Sequence, residues 1–229
     1  TMPDHFTEQL APLPALTAAA MATSTLRIGA LVWDNDYKHP VVFAKEMATL
    51  DVLSDGRLDL GIGAGWMITD YEQSGIPYES AGTRIDKMIE GIDIMKGCFA
   101  QGPFSYAGKH YTITNYNGMP KPVQGSCPPI LIGGGGKRVL TYAAKVADIV
   151  GINATMSAGA VGPEAISTMT AEAVDAKVDI VREASGDRIN DIEMNIRAFL
   201  VNVTDDAEGA ISRLAKGMGV EESMVANTP

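Results

Sequence analysis

The stretch Ile130-Leu131-Ile132-Gly133-Gly134-Gly135-Gly136-Lys137-Arg138 reads as an apolar strand feeding through four glycines into the start of a helix. Such a bend suits an anion. Without side chains the backbone can approach closely, the N–H groups converge on the anion's oxygens, and the helix N-terminus adds a dipole worth about 0.3–1 kcal/mol. Lys137 adds charge. The stretch is not a Walker loop, because Leu131 stands where the first glycine belongs and Arg138 replaces the hydroxyl that would bind Mg²⁺. A second cluster, Gly61-Ile62-Gly63-Ala64-Gly65-Trp66, also follows an apolar strand. As a dinucleotide fingerprint it fails at the sixth position, where Trp66 replaces Gly or Ala. These glycines either admit a planar ring with Trp66 as its wall or allow close strand packing. Of the three histidines, His5 in Asp4-His5-Phe6 precedes the first helix, where a strand-end residue would face a ligand and exchange a proton. His39, ahead of Pro40, reads as helix-start structure, and His110 as part of a hairpin.

Positioning these groups falls to an alternating pattern of strands and helices. An alanine- and leucine-rich helix is expected over 8–23, with Pro12 and Pro14 in or before its first turn, then a buried strand over 25–32. Pro40 opens a helix to about residue 53, Ser54-Asp55-Gly56 ends it, and 57–62 is a second strand, completing a βαβ unit. The three-and-four spacing of Ile85, Met88, Ile89, Ile92, Met95 and Cys98 predicts an amphipathic helix over 83–99. A β-hairpin follows over 104–114, centred on Ala107-Gly108-Lys109. The glycine bend then joins strand 130–132 to helix 137–146 and strand 148–152. Beyond it a helix over 163–184, a strand over 193–201 and a helix over 205–217 capped by Thr204 complete the pattern. Right-handed connections between parallel strands place ligands at the strands' carboxyl ends. Five such strands fit either an open doubly wound sheet or a (β/α)8 barrel with elements missing.

Composition narrows the partners. With 18 basic against 28 acidic side chains the formal charge is −10, which argues against nucleic acid or an anionic membrane held by a basic surface. At 46% hydrophobic and 20% charged residues over 229 positions, the chain has the make-up of one globular domain with a sizeable core. Cys98 and Cys127 are too few for a disulfide framework, and no Cys/His spacing suits zinc. Binding is therefore expected to be local, in a reducing cytoplasmic setting and without a structural metal. Residue 1 is Thr, and the opening has neither the basic nor the apolar region of a signal peptide, so a fragment of a longer protein is the expectation.

Taken together, Asp4-His5-Phe6, Lys38-His39-Pro40, the run from Ala48 through Asp51, Ser54 and Gly56 to Arg57-Leu58, Gly61 to Trp66, and Pro129 to Gly136 resemble the luciferase-like monooxygenase superfamily, specifically its coenzyme F420-dependent oxidoreductases. The likeness covers roughly residues 2–153, and the Ala-Thr-Leu-Asp-x-Leu-Ser-x-Gly-Arg segment is its most specific part. The resemblance implies a (β/α)8 TIM barrel with an inserted hairpin region near 100–128, binding a deazaflavin or flavin at the strand ends. By the same resemblance His5 is the catalytic residue facing the cofactor ring, and the strand end Leu31-Val32-Trp33 carries a bulge with a non-prolyl cis peptide behind that ring. Gly65, Trp66 and Thr69 would line the ring or its side chain, and Gly134, Gly135 and Gly136 would hold the phosphate. In sugar-phosphate dehydrogenase relatives a glutamate acts from the position of Trp66, so a different substrate and acid–base pair are expected here.

Measured against that family the chain begins late in the second strand and ends before the last βα unit. The barrel should then be incomplete, with exposed edges that make the chain unstable or dependent on a covering partner. The leading functional expectation is F420-dependent hydride transfer with a small organic substrate. FMN-dependent monooxygenation and a non-catalytic flavin-binding protein are the alternatives, and an NAD-dependent Rossmann dehydrogenase would require the Gly61 cluster to hold a pyrophosphate. A homodimer is the assembly the resemblance implies.

Overall fold

The structure, a computed structural model, describes residues 1–197 and 202–226. It divides into two compact units, residues 1–133 and the chain from Gly134 onward.

In the first unit, helix α1 (Pro12–Ala22) begins with Pro12 in its first turn, where a missing N–H costs nothing, and buries Leu16 and Ala20. Strand β1 (Ile28–Gly29) is a short part of the strand expected over 25–32, and strand β2 (Trp33–Asp34) lies just beyond that stretch. Both pair in parallel with strand β3 (Leu58–Gly63), Gly29 opposite Asp59 and Trp33 opposite Ile62. Four steps along one side therefore match three along the other, so the pairing register slips by one residue between them. The Leu31–Val32 peptide within this interval is cis. Met2 bridges Ala30 in parallel, its N–H donating to Gly29 O (3.2 Å) and its carbonyl accepting from Leu31 N (2.9 Å), so His5 follows directly on a strand-like edge.

Helix α2 (Pro40–Leu53) starts where His39 Nδ1 accepts from Val41 N (3.3 Å), the helix-start role expected of that histidine. It ends at Ser54, followed by Asp55 and Gly56 at φ 54° and 72°. This helix buries Phe43, Ala44, Met47 and Leu50 and packs against helix α4 (Ala81–Phe99), whose buried Met88, Ile92 and Met95 supply the expected core stripe. Between β3 and α4 lies the short helix α3 (Ile68–Ser74), which no apolar periodicity in the sequence announces. Strands β4 (Phe104–Ala107) and β5 (Thr112–Tyr116) form the expected antiparallel hairpin. Its loop is fastened by Glu90, whose carboxylate accepts from the N–H groups of Lys109, His110 and Tyr111 at 2.8, 3.0 and 3.2 Å. Strand β6 (Ile130–Gly134) pairs with β3 through Leu60–Ile130 to Ile62–Ile132.

The most distinctive motif of the chain is scaffold. Asp51 is fully buried and accepts from Val123 N (2.7 Å), Gln124 N (3.2 Å) and Gln124 Nε2 (2.7 Å), anchoring the segment that leads into β6. Arg57 donates to Ala20 O and Leu26 O (both 2.8 Å) and to Ser54 O (2.6 Å), tying α1, the entry to β1 and the end of α2 together.

In the second unit, helix α5 (Lys137–Val146), strand β7 (Ile149–Ile152), helix α6 (Pro163–Ser167), helix α7 (Ala171–Ser185), strand β8 (Glu193–Ile196), helix α8 (Ala207–Met218) and helix α9 (Glu222–Ala226) follow in order. β7 and β8 pair in parallel from Ile149–Glu193 to Ile152–Ile196. The helix expected over 163–184 is two, because Thr170 caps a new start by accepting from Ala173 N (3.3 Å) and Thr168 Oγ1 turns back to Ala165 O (2.6 Å). Lys177 is buried against that break, donating to Asn153 O (2.7 Å) and Thr168 O (2.6 Å). The cap of α8 is Asp206, which accepts from Gly209 N (2.9 Å), and Thr204 instead accepts from Asp206 N (3.1 Å). Of the strand expected over 193–201, residues 198–201 lie outside the described residues.

Candidate active site

His5 sits just past the edge formed by Met2, half-buried, its Nδ1 2.7 Å from Asp70 Oδ2. Asp70 lies in the first turn of α3, where a carboxylate is favoured by the helix dipole, and is 3% exposed. Its other contacts are donors as well: Tyr37 Oη to Oδ2 at 2.9 Å and the Phe6 N–H to Oδ1 at 3.2 Å. The Phe6 ring stacks on Tyr37, centroids 4.5 Å apart, which closes the segment over the carboxylate.

Trp66 meets His5 edge to face, centroids 5.3 Å apart at 83°. The loop carrying it is held from beneath by Arg84, a buried cation on α4. Arg84 donates to Ala64 O (3.3 Å), Gly65 O (3.4 Å) and Glu79 O, and its guanidinium lies 4.2 Å from the Tyr78 ring centroid. Tyr78 Oη in turn donates to Trp66 O (3.2 Å). A buried, satisfied arginine thus fixes the wall that orients the imidazole.

Below them is a second acid–tyrosine group. Tyr71 Oη donates to Asp34 Oδ2 (2.9 Å) and approaches Asp36 Oδ2 (3.4 Å), while Asp34 Oδ1 accepts from Asp36 N (2.9 Å) and Asp34 N donates to Asp4 Oδ2 (3.2 Å). Burial raises the Asp34 carboxyl to about 7, with Asp36 and Asp4 adding to the rise, and burial likewise pushes Asp4 and Asp36 above the usual carboxylate range. Tyr37 and Tyr71 are also pushed up by burial and nearby carboxylates, so both stay protonated donors.

Among the residues singled out from sequence, His5, Trp66, Gly65, Leu31 and Val32 all lie in the first unit. Gly61 and Gly63 serve the close-packing reading, since a Cβ on them would overlap the Ala30 carbonyl and the Val32 side chain. Gly65, at φ 74°, leaves room for Tyr71 Oη and Asp34. Thr69 is exposed on α3, one residue before Asp70. Gly134, Gly135 and Gly136 belong to the second unit. There the Gly134 carbonyl accepts from Asn153 N (3.1 Å), the Gly135 carbonyl from Thr155 Oγ1 (3.1 Å), and Gly136 precedes α5, whose N-terminus no side chain caps. A Cβ on Gly135 would overlap the Ala154 carbonyl, so close backbone packing accounts for that glycine, while the space beside Gly136 is open. Sequence reasoning missed Asp70, Tyr37, Asp34, Tyr71 and Arg84. An acidic residue two places into a helix start was the available signal for Asp70.

Among the described residues no cluster of three or more His, Cys, Asp or Glu is arranged to hold a metal, and no helix is long and apolar enough to cross a membrane.

A ring-and-carboxylate cluster just beyond the ends of parallel strands stands where α/β folds commonly carry ligands. The family model for luciferase-like monooxygenases matches residues 1–222, and the chain belongs to that family. A related curated protein is the FMNH(2)-dependent dimethylsulfone monooxygenase of Pseudomonas putida, 26% identical over 199 residues, covering 87% of this chain and 50% of that protein. The chain therefore spans about half the length of the curated relatives it matches. Among solved structures it is similar to the coenzyme F420-dependent tetrahydromethanopterin reductase of Methanopyrus kandleri, with a TM-score of 0.76 at 20% identity over 96% of this chain and 67% of that one. It is also similar to an F420-dependent secondary alcohol dehydrogenase in complex with an F420–acetone adduct, with a TM-score of 0.74 at 19% identity over 99% and 74%. The fold is thus the luciferase-like α/β barrel type, and the chain spans part of it.

Proposed function

We propose that this chain is the site-bearing part of an F420-dependent oxidoreductase that moves a hydride between the deazaflavin and a small organic substrate. The observation that carries the reading is the half-buried His5, anchored by Asp70 and walled by Trp66 beyond the ends of parallel strands. When bound, the cofactor supplies the two-electron acceptor or donor. The chain's own residues do the rest. His5 takes the hydroxyl proton of a substrate as hydride leaves its carbon, and returns it in the reverse direction. Leu31, Val32, Gly65, Trp66 and Thr69 are proposed to line the ring, and Gly134, Gly135 and Gly136 with the first turn of α5 to take an anionic group. A homodimer and a cytoplasmic setting belong to the same proposal.

The second reading, FMN-dependent monooxygenation, is favoured by the similarity to the dimethylsulfone monooxygenase. Fluorescence titration of the chain with F420 and with FMN separates them. Saturable F420 binding weakened in a Gly136→Asp variant, whose side chain enters open space at the helix start, supports the first, and binding of FMN alone transfers the site to the second. Binding of neither refutes both.

A further inference from the structure

We propose that Asp70 is a positioning residue that selects which nitrogen of His5 handles the proton: it holds hydrogen on Nδ1 and leaves the Nε2 lone pair as the acceptor. The inference rests on the reading of His5 as the proton-transfer residue, and it concerns a residue that neither motif nor spacing had singled out.

Asp70 is 3% exposed and receives three contacts: the Phe6 N–H on Oδ1, and Tyr37 Oη and His5 Nδ1 on Oδ2. A main-chain N–H can only donate, and the Tyr37 hydroxyl, whose loss of a proton is suppressed by burial and by neighbouring carboxylates, donates too. A carboxylate is an acceptor only, so His5 must present Nδ1–H to it at 2.7 Å. A neutral imidazole protonated at Nδ1 carries its lone pair on Nε2. Trp66 meets the same imidazole edge to face, with ring centroids 5.3 Å apart.

The same count fixes what an amide would do. In Asp70→Asn the carbonyl oxygen must face either the Phe6 N–H or the His5–Tyr37 pair. Placing the NH₂ against Phe6 sets two obligate donors 3.2 Å apart with no way for the main chain to switch. The amide therefore turns its oxygen to Phe6 and its NH₂ to Tyr37 and His5, which can both become acceptors. His5 then accepts at Nδ1, its proton moves to Nε2, and the nitrogen needed as base is blocked.

The test is a long-range ¹H–¹⁵N spectrum of the chain labelled with ¹⁵N-histidine, at a pH where the rings are neutral. Only three histidines are present, and His39→Gln and His110→Gln variants assign the remaining signals to His5. The expected result is the Nδ1–H form in the natural chain and in Tyr37→Phe, and the Nε2–H form in Asp70→Asn. Turnover in Asp70→Asn should fall about 10²- to 10⁴-fold with the cofactor still bound and KM little changed. An Nε2–H form in the natural chain, or an unchanged tautomer in folded Asp70→Asn, overturns the proposal. If Asp70→Asn does not fold, the natural chain's spectrum decides alone. Failure of cofactor binding with the tautomers as expected would refute the redox reading and leave the role of Asp70 standing.

Discussion

Replacing Asp34 by Asn should change how the stability of this protein depends on pH. A carboxyl raised to about 7 keeps its proton in the folded chain after the unfolded chain, near 3.8, has lost it. The folded state then binds the extra proton, so stability falls as pH rises through that window, by about 1.4 kcal/mol per unit. From pH 5 to 7.5 the loss attributable to Asp34 is about 2.5 kcal/mol. Asparagine can keep the local bonds: its carbonyl accepts from Asp36 N as Oδ1 does now, its NH₂ faces Tyr71 Oη, and that hydroxyl turns to Asp36 Oδ2. Asp4 and Asp36 remain in both proteins and largely cancel in the comparison. Urea unfolding of both chains at pH 5 and 7.5, with equal m-values, reads the difference directly. Asp34→Asn should gain about 2.5 kcal/mol on the natural chain between the two pH values. An equal pH slope in both proteins would refute the burial argument.

Two further substitutions probe the scaffold. Gly65→Ala puts a Cβ onto Tyr71 Oη and Asp34 at a positive φ, so it should cost about 3–5 kcal/mol through backbone strain and the lost Tyr71–Asp34 bond, measured as a drop in urea midpoint. Asp51→Ala leaves the Val123 and Gln124 N–H groups without their acceptor and should cost about 3–5 kcal/mol, with faster hydrogen exchange at those two amides; unchanged exchange would count against the anchoring role.

Much of the framework was legible because its signals are local. Pro40 after His39, the apolar periodicity of 83–99 and the glycines before Lys137 each specify an element through sterics or capping within a turn, and each element stands where expected. The errors fall where a short side chain competes with the helix backbone: Thr168 and Thr170 split one helix, and Asp206 displaces Thr204 as a cap. The strand expected over 25–32 is only Ile28–Gly29, and pairing with β3 resumes at Trp33 after the register slips, a property of the pair that neither strand shows alone.

For the site, residue types and order along the chain determined the family resemblance, the histidine before the first helix and the glycine bend, since these depend on what each residue can do by itself. Tertiary structure decided that Asp70, 65 positions from His5, is the group that holds it, and that Arg84 braces the Trp66 loop. It also decided that the motif from Asp51 to Arg57 is an anchor for neighbouring segments. Hydrogen bonds between distant segments leave no periodicity in the chain, because a carboxylate's partner is chosen by burial and direction after folding has brought the two together.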